Sequence, residues 1–202
     1  MDNKPEINVI KIGVIGDLYV GKASVCNSYV SGELKLKDYT NYFNKYETKF
    51  KLKNGREIQL ILFDSKGQER FHSITLTSIR RYHGIILVFS VIDKNSFENI
   101  DMWLNALYEE GIKCFAIFGN KIDMPKDEWK ITSEEAKSIA QKNGLAYFET
   151  SCKTREGTEE GITYVVNEAY EKLENKNNNN INLNNNKINR DSNCAGKKKN
   201  KK

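Results

Sequence analysis

Short apolar runs separated by helical patterns limit the fold of this sequence more than any other feature. Most of these runs lack the alternation of apolar and polar residues found in strands with one wet face, so they predict strands covered on both sides. Strands of this kind belong to mostly parallel sheets with helices packed on the faces. Five such runs occupy residues 7–15, 58–63, 84–91, 114–118 and 145–149.

The segments between the runs have helical patterns with recognisable ends. Thr132 and Glu135 have the spacing of a capping box, and Gly144 stands where a helix C-cap is expected. From Ile162 to Leu173 the apolar residues form one stripe, and packing of this stripe onto the sheet is favoured over a partner surface. The predicted helices cover residues 22–30, 96–110, 133–143 and 158–174.

One antiparallel pair of strands is expected at the edge of the sheet. Residues 48–52 and 58–63 flank Asn54-Gly55, a dipeptide typical of two-residue hairpin turns. The sequence therefore predicts an α/β fold with a mostly parallel sheet and one antiparallel edge hairpin. No internal repeat is visible.

Composition divides the chain into a body and a tail. Residues 175–202 contain twelve Asn and few apolar residues, so they cannot bury enough surface to offset the entropy of ordering, and we predict that they are disordered. The tail carries a net charge of +7 and the whole chain +5, which leaves −2 for the remainder. This nearly neutral body argues against a nucleic-acid partner. We expect an N-terminal extension over residues 1–6, one domain over 7–174 and the tail over 175–202.

The expected location is cytoplasmic, with a peripheral position on the cytosolic face of membranes as a further expectation. No run approaches the roughly 20 apolar residues of a membrane span, and residues 1–6 are polar, unlike a secretory signal. The cysteines are scattered without a CxxC pair, which indicates reduced thiols rather than disulfides or a zinc site. They are Cys26, Cys114, Cys152 and Cys194.

The first predicted strand leads directly into a glycine-containing phosphate loop. Residues 16–22 read Gly-Asp-Leu-Tyr-Val-Gly-Lys, and a helix follows. Gly16 and Gly21 allow the backbone to turn its N–H groups toward phosphate oxygens, and Lys22 can reach the terminal phosphates. The full motif ends in a Ser or Thr that binds Mg²⁺. Here that position is Ala23, and the neighbouring Ser24 points about 100° away around the helix.

Three further motifs follow later strands. Asp64 closes the strand at 58–63, where it can hold Mg²⁺ through water, and is followed by Gly67 and Gln68, which can meet a γ-phosphate and orient an attacking water. Each of these stretches is also compatible with an ordinary polar loop when taken alone. After the strand at 114–118 comes Asn120-Lys121-Ile122-Asp123, and after the last strand comes Thr150-Ser151-Cys152-Lys153.

The last two motifs suit the recognition of guanine. The carboxylate of Asp123 can accept hydrogen bonds from N1–H and the N2 amine of guanine, which adenine lacks, and such matched polar contacts discriminate strongly. A backbone N–H near Ser151 can meet guanine O6. All four motifs lie at carboxyl ends of predicted strands, so they fit a single nucleotide site.

Together these motifs resemble the Ras superfamily of small GTPases, and most closely its Rab branch. The resemblance covers about residues 7–173. It implies a P-loop NTPase fold with a mostly parallel six-stranded sheet, GTP, GDP and Mg²⁺ as ligands, slow GTP hydrolysis, and a role in vesicle trafficking. The matching stretches are residues 16–22, 64–71, 83–89, 96–97 with 103–104, 119–123 and 149–153.

The resemblance also implies a set of site residues. Gln68 is the catalytic residue, and Asp64 and Asn41 are the metal ligands. The nucleotide-binding residues are Gly16, Asp17, Leu18, Tyr19, Val20, Gly21, Lys22, Ala23, Ser24, Asn41, Asp64, Gly67, Asn120, Lys121, Asp123, Ser151, Cys152 and Lys153. Effectors and regulators are expected to contact residues 34–46 and 64–82, the two segments that order with the γ-phosphate.

The sequence departs from the family at the metal site. Ala23 and Asn41 both replace residues that normally place a hydroxyl on Mg²⁺, so we predict weakened Mg²⁺ dependence and slow or negligible hydrolysis. Leu18 is larger than usual for the phosphate loop and is positioned to crowd Gln68. Leu34 stands where an aromatic ring usually stacks on guanine, which lowers the expected affinity. A guanine-nucleotide-binding scaffold without catalysis is therefore the alternative, and an ATP-using enzyme is disfavoured by Asp123.

The C-terminus lacks the cysteine arrangement usual in Rab-like proteins. Cys194 lies eight residues before the end, so it forms neither a CaaX box nor a terminal cysteine pair. Five of the last six residues are Lys, and we expect them to bind an anionic membrane surface reversibly. A solvated tail without a partner is the alternative.

Overall fold

A computed structural model describes residues 6–32, 43–65 and 79–196 of the chain. Within them, six strands form one sheet in the order β2-β3-β1-β4-β5-β6. All neighbouring strands are parallel except β2 and β3. The strands are β1 (Val9–Ile15), β2 (Phe43–Lys51), β3 (Glu57–Ser65), β4 (Gly84–Ser90), β5 (Cys114–Asn120) and β6 (Ala146–Thr150). The predicted sheet is therefore confirmed.

The antiparallel edge hairpin is confirmed at Asn54-Gly55. Gly55 has a φ of 85°, a left-handed conformation that glycine adopts without a steric penalty. Its N–H donates to the carbonyl of Leu52 at 2.9 Å and closes the turn. The β2 strand begins at Phe43, five residues before the predicted start. The pairing with β3 runs from Phe43 opposite Ser65 to Lys51 opposite Glu57 and extends the strand beyond its recognisable pattern.

The described residues contain five α-helices: α1 (Lys22–Ser31), α2 (Lys94–Glu98), α3 (Ile100–Glu109), α4 (Ser133–Lys142) and α5 (Thr158–Gly196). A short 3₁₀ turn covers Lys126–Glu128. The single helix predicted over residues 96–110 is instead two helices, divided at Asn99. The first begins earlier than predicted because the side chain of Asp93 accepts a hydrogen bond from the N–H of Asn95 and caps it.

Helices cover both faces of the sheet, as predicted. Side chains of β4 alternate between two hydrophobic clusters: Ile86 and Val88 face the cluster that contains α1 and α5, whereas Leu87 and Phe89 face the cluster that contains α3 and α4. Because both faces are buried, all seven residues of β4 are buried. The continuous apolar runs of the sequence follow from this arrangement.

The last helix packs on the sheet through its apolar stripe, as predicted. Val165, Val166 and Ala169 are fully buried in the first cluster, and Leu173 packs against its margin. The helix then continues to Gly196, although disorder was predicted from residue 175. The boundary at residue 174 stays a prediction.

No helix of the described segments is both long enough and apolar enough to cross a membrane.

Candidate functional site

The sequence motifs that the structure describes meet at one edge of the sheet. They follow β1, lie at the end of β3, and follow β5 and β6. Since these four strands are mutually parallel within the sheet, their carboxyl ends point the same way. This edge is where ligands bind in α/β folds of this type.

Two glycines give the loop between β1 and α1 its shape. Gly16 has a φ of 134°, and a Cβ there would overlap the carbonyl oxygen of Val88 in β4. Gly21 has a φ of 99°, and a Cβ there would overlap the side-chain amide of Asn120. Both positions therefore require glycine for conformation and for space. The loop is pressed against the ends of β4 and β5.

A third loop residue adopts a left-handed conformation without being glycine. Tyr19 has a φ of 62° and is 88% exposed. Leu18 beside it is 43% exposed, so both large side chains of the loop project outward. A strained non-glycine residue of this kind persists only where its surroundings hold it. Whether Leu18 crowds Gln68 stays a prediction, since Gln68 lies outside the described residues.

Lys22 spans the loop from the first position of α1. Only 5% of it is exposed, and its ammonium donates to the main-chain carbonyl of Asp17. The first turn of α1 contains no acidic residue, and no side chain caps Gly21. The positive end of the helix dipole and the lysine therefore act together. This arrangement is suited to an anion such as a phosphate group.

Asp64, the predicted Mg²⁺ ligand, lies near the end of β3 and is only 3% exposed. Its charge and that of Lys22 both act on the thiol of Cys26 in α1. Burial raises the pKa of Cys26 well above its ordinary value, Asp64 raises it further, and Lys22 opposes the rise. Both charges therefore act at Cys26, and Ala23 lies between Lys22 and Ser24 in the first turn of α1.

Asn120 connects the loop after β1 to the loop after β6. Its amide donates to the carbonyl of Val20 at 2.8 Å. Its side-chain oxygen accepts from the hydroxyl of Thr150 at 3.3 Å and from the thiol of Cys152 at 3.4 Å. Only 2% of Asn120 is exposed, so this set of hydrogen bonds is protected from water. The next residue, Lys121, has a φ of 71° and turns the chain away from β5.

The loop after β6 orients the carboxylate of Asp123. The hydroxyl of Ser151 donates to Oδ1 of Asp123 at 2.7 Å. That hydroxyl also accepts from the backbone N–H groups of Lys153 at 3.2 Å and Thr154 at 3.1 Å, which fix its direction. A carboxylate has about four acceptor sites, so one bond to Ser151 leaves capacity for a ligand.

Cys152 is a neutral thiol within the same loop. Burial raises its pKa to about 11, while hydrogen bonds to Asn120 and Ser28 lower it and the charge of Asp123 adds to the rise. A thiol this weakly acidic is a poor nucleophile at neutral pH. Cys152 therefore acts through its packing and its hydrogen bond to Asn120.

The side chain of Asp17 is held by helix α3, a contact that sequence reasoning missed. Trp103 Nε1 donates to Asp17 Oδ1 at 2.7 Å, and Asn99 Nδ2 donates to Asp17 Oδ2 at 2.6 Å. The only signal in the sequence was the spacing of two donors four residues apart, which places them on one face of a helix.

The described residues also line a surface cavity away from this edge of the sheet. A surface cavity of about 440 Å³ lies at the opposite edge of the sheet, before the first residues of β5 and β6. It is lined by Tyr108, Gly111, Ile112, Lys113, Asn143, Gly144, Leu145 and Lys172.

Several predicted site residues lie outside the described residues. They are Leu34, Asn41, Gly67 and Gln68, together with most of the two segments predicted to contact effectors. The structure brings the other predicted residues together at one edge of the sheet. Their roles toward a ligand stay predictions.

Comparison with known proteins gives a consistent result. The model of the Ras family matches residues 11–171. The Ras-related protein RABA5c of Arabidopsis thaliana is 29% identical over 177 residues, which cover 87% of this chain and 82% of that protein. The Ras-related protein Rab-1 of Theileria parva is 34% identical, covering 82% and 76% of the two chains. Rab-21 of Mus musculus is 33% identical, covering 74% and 68%.

Proposed function

This chain belongs to the Ras family and is a Rab-like small GTPase, and on that premise we propose that it is a GTP/GDP switch in vesicle-mediated membrane traffic. As a family member it binds guanine nucleotide with Mg²⁺ and interacts with effector and regulator proteins. The observation that carries the proposal is the side chain of Asn120, which ties the phosphate loop at Val20 to the base loop at Cys152.

The phosphates of the nucleotide occupy the loop between β1 and α1. The glycines at 16 and 21 leave room for close approach of the backbone, and the N–H groups of residues 18–24 supply donors. Lys22, now bonded to the carbonyl of Asp17, is within reach of the terminal phosphates because it crosses the same loop. Tyr19 and Leu18 contribute their backbone, since their side chains point outward.

The guanine base is recognised by Asp123 and the loop after β6. Ser151 holds one oxygen of the Asp123 carboxylate, which turns the group to accept from N1–H and the N2 amine. The N–H groups of Ser151 and Lys153 are used inside the loop, by the carbonyl of Glu156 and by the Ser151 hydroxyl. We therefore assign guanine O6 to the N–H of Cys152.

Among the described residues of the site, one side chain is suited to bind Mg²⁺. The carboxylate of Asp64 is a hard oxygen ligand of the kind that Mg²⁺ prefers, and it is buried near the end of β3, the strand beside β1. Ala23 supplies no oxygen, and Asn41 lies outside the described residues. When bound, Mg²⁺ neutralises phosphate charge. With fewer protein ligands, its contribution to nucleotide affinity is reduced.

GTP hydrolysis is slow. Gln68 orients the attacking water, and no arginine of the sequence stands at an evident position to stabilise the transferring phosphate. We expect an intrinsic rate of about 10⁻⁴ s⁻¹ or less, the order known for Ras alone. Turnover would then depend on an activating protein.

A scaffold that binds guanine nucleotide without catalysis is the second candidate. It is favoured by Ala23, which occupies the first turn of α1 with a methyl group where a Mg²⁺-binding hydroxyl is expected. In such a scaffold the nucleotide stabilises the fold, and partners bind irrespective of hydrolysis.

The test uses the full chain with fluorescent GDP and GTP, first with Mg²⁺ and then with EDTA, followed by single-turnover hydrolysis. Excess ATP serves as competitor. Lys22→Ala should abolish binding, whereas Lys130→Ala, an exposed lysine outside the site, should leave it unchanged. Binding that resists ATP and is followed by turnover supports the switch. Binding without turnover supports the scaffold, and failure to bind guanine nucleotide contradicts both.

A further inference from the structure

We propose that Asn99 and Trp103 are positioning residues that hold the phosphate loop in its binding shape through the carboxylate of Asp17. This inference rests on the proposed nucleotide site and identifies the part of the fold that fixes the loop from outside. Asn99 and Trp103 lie 82 and 86 positions after Asp17 in the chain.

Each oxygen of the Asp17 carboxylate receives its own donor. Nε1 of Trp103 lies 2.7 Å from Oδ1, and Nδ2 of Asn99 lies 2.6 Å from Oδ2. Both distances are in the short range typical of hydrogen bonds to a charged acceptor. Two donors on two oxygens fix the direction of the carboxylate as well as its distance from α3.

The donors come from a rigid part of the molecule. Trp103 is 2% exposed and packs in the second hydrophobic cluster with Leu104 and Leu107. Asn99 is the N-cap residue of α3, four residues earlier, and its carbonyl accepts a hydrogen bond from the N–H of Trp103 at 3.1 Å. An anchor buried in the core holds its partner more firmly than one on a mobile surface side chain.

The position of Asn99 indicates that its side chain is used for the loop. Asn99 precedes α3, where an Asn side chain commonly accepts from the N–H groups of the first turn. Its side chain makes no such cap here and donates to Asp17 instead. The chain therefore forgoes a helix cap at this position and gains a contact to the phosphate loop.

Asp17 connects these two donors to Lys22, the residue proposed to bind phosphate. Its side chain is bound by Asn99 and Trp103, and its main-chain carbonyl accepts a hydrogen bond from the ammonium of Lys22. The same hydrogen bonds keep the carboxylate directed toward α3. A carboxylate free to turn toward the phosphates would repel them, so its direction affects nucleotide retention.

The test is a charge-swap cycle on the full chain loaded with fluorescent GDP, with release followed after excess GDP is added. Asn99→Asp places a carboxylate against Asp17, and we expect release about tenfold faster. The double variant Asp17→Asn with Asn99→Asp restores a donor for each acceptor and should return the rate to within about twofold of wild type. Asp17→Asn alone completes the cycle. Asn95→Asp, an exposed residue of α2, is the matched control and should not change the rate.

The outcomes separate the two proposals. If the wild-type chain binds no guanine nucleotide, the proposed function fails and this inference fails with it. If wild type binds but Asn99→Asp releases GDP at the wild-type rate, the positioning role alone is overturned. It is also overturned if the double variant releases GDP as fast as Asn99→Asp, because a merely structural effect is not rescued by exchanging the charge. Should Asn99→Asp fail to fold, Asn99→Ala replaces it, with release about threefold faster expected and an unchanged rate as the contradicting result.

Discussion

The hydroxyl of Ser151 donates to Oδ1 of Asp123 at 2.7 Å, so the loop after β6 sets the direction of a carboxylate that follows β5. Ser151 is completely buried, and two backbone N–H groups fix its oxygen. If Asp123 recognises the base as proposed, selectivity depends on a pair of residues from two loops. This arrangement leads to the first prediction.

Asp123→Asn should weaken GDP binding about 100-fold, because the amide offers a donor toward groups of guanine that are themselves donors. Titration of fluorescent GDP into the full chain measures the change. Asp127→Asn, which alters an exposed acid in the neighbouring 3₁₀ turn, is the matched control. Equal GDP affinities for the two variants would contradict the assignment of Asp123 to the base.

Ala23→Ser should increase the dependence of nucleotide binding on Mg²⁺. The added hydroxyl stands in the first turn of α1, next to Lys22, and supplies an oxygen that the native chain lacks. The measurement is the ratio of GDP release rates in EDTA and in Mg²⁺, which we expect to rise about tenfold. Ser24→Ala removes the adjacent hydroxyl as a control. No increase would mean that the site holds its metal by another arrangement.

His83 should make folding stability fall as the pH is lowered through about 6.5. Its Nδ1 accepts from the N–H of Lys11 at 3.1 Å, and burial followed by the charge of Lys11 lowers the pKa of His83. The unfolded chain therefore binds the proton more readily, so this contribution is present above the unfolded pKa and is lost below it. One proton limits the slope to about 1.4 kcal/mol per pH unit.

Urea unfolding of the GDP-loaded chain at pH 7.5 and 5.5 checks this dependence. His83→Asn keeps an acceptor near Nδ1 but does not titrate, so its loss of stability between the two pH values should be smaller than that of wild type. An equal loss in both proteins would exclude His83 as the cause.

Thr132→Ala should destabilise the domain by about 1 kcal/mol. The Thr132 side chain accepts from the N–H of Glu135, and the Glu135 carboxylate accepts from the N–H of Thr132 at 2.8 Å, which completes the predicted capping box of α4. Denaturant unfolding measures the difference. Ser138→Ala removes a hydroxyl from an exposed position of the same helix and should have little effect. A similar loss in both variants would rule out the cap.

Replacing the five lysines of residues 197–202 by Gln should reduce binding to vesicles that contain phosphatidylserine. Each lysine near an anionic surface contributes about 1 kcal/mol, and salt screens the attraction. Co-sedimentation at 0.1 M and 0.5 M salt measures the effect, with phosphatidylcholine vesicles as the control. Unchanged binding to the anionic vesicles would support the alternative of a solvated tail.

Much of the fold followed from local patterns. The runs of β4 and β5 predicted buried strands, Asn54-Gly55 predicted the hairpin, and Thr132 with Glu135 predicted the start of α4. Element ends were less predictable where pairing or capping extended them. The sequence showed no reason for β2 to begin at Phe43, because that start depends on hydrogen bonds to β3.

The phosphate loop was predictable because it is contiguous: the glycines, the lysine and the missing hydroxyl at Ala23 all stand within eight residues, and their spacing alone defines the backbone turn. The contacts that hold the site together were not predictable. Asn120 lies 100 residues from Val20, Trp103 lies 86 from Asp17, and Ser151 lies 28 from Asp123. Short-range periodicity carries no information about such pairs. They form because parallel strands bring their carboxyl ends to one edge and buried helices direct particular donors toward it.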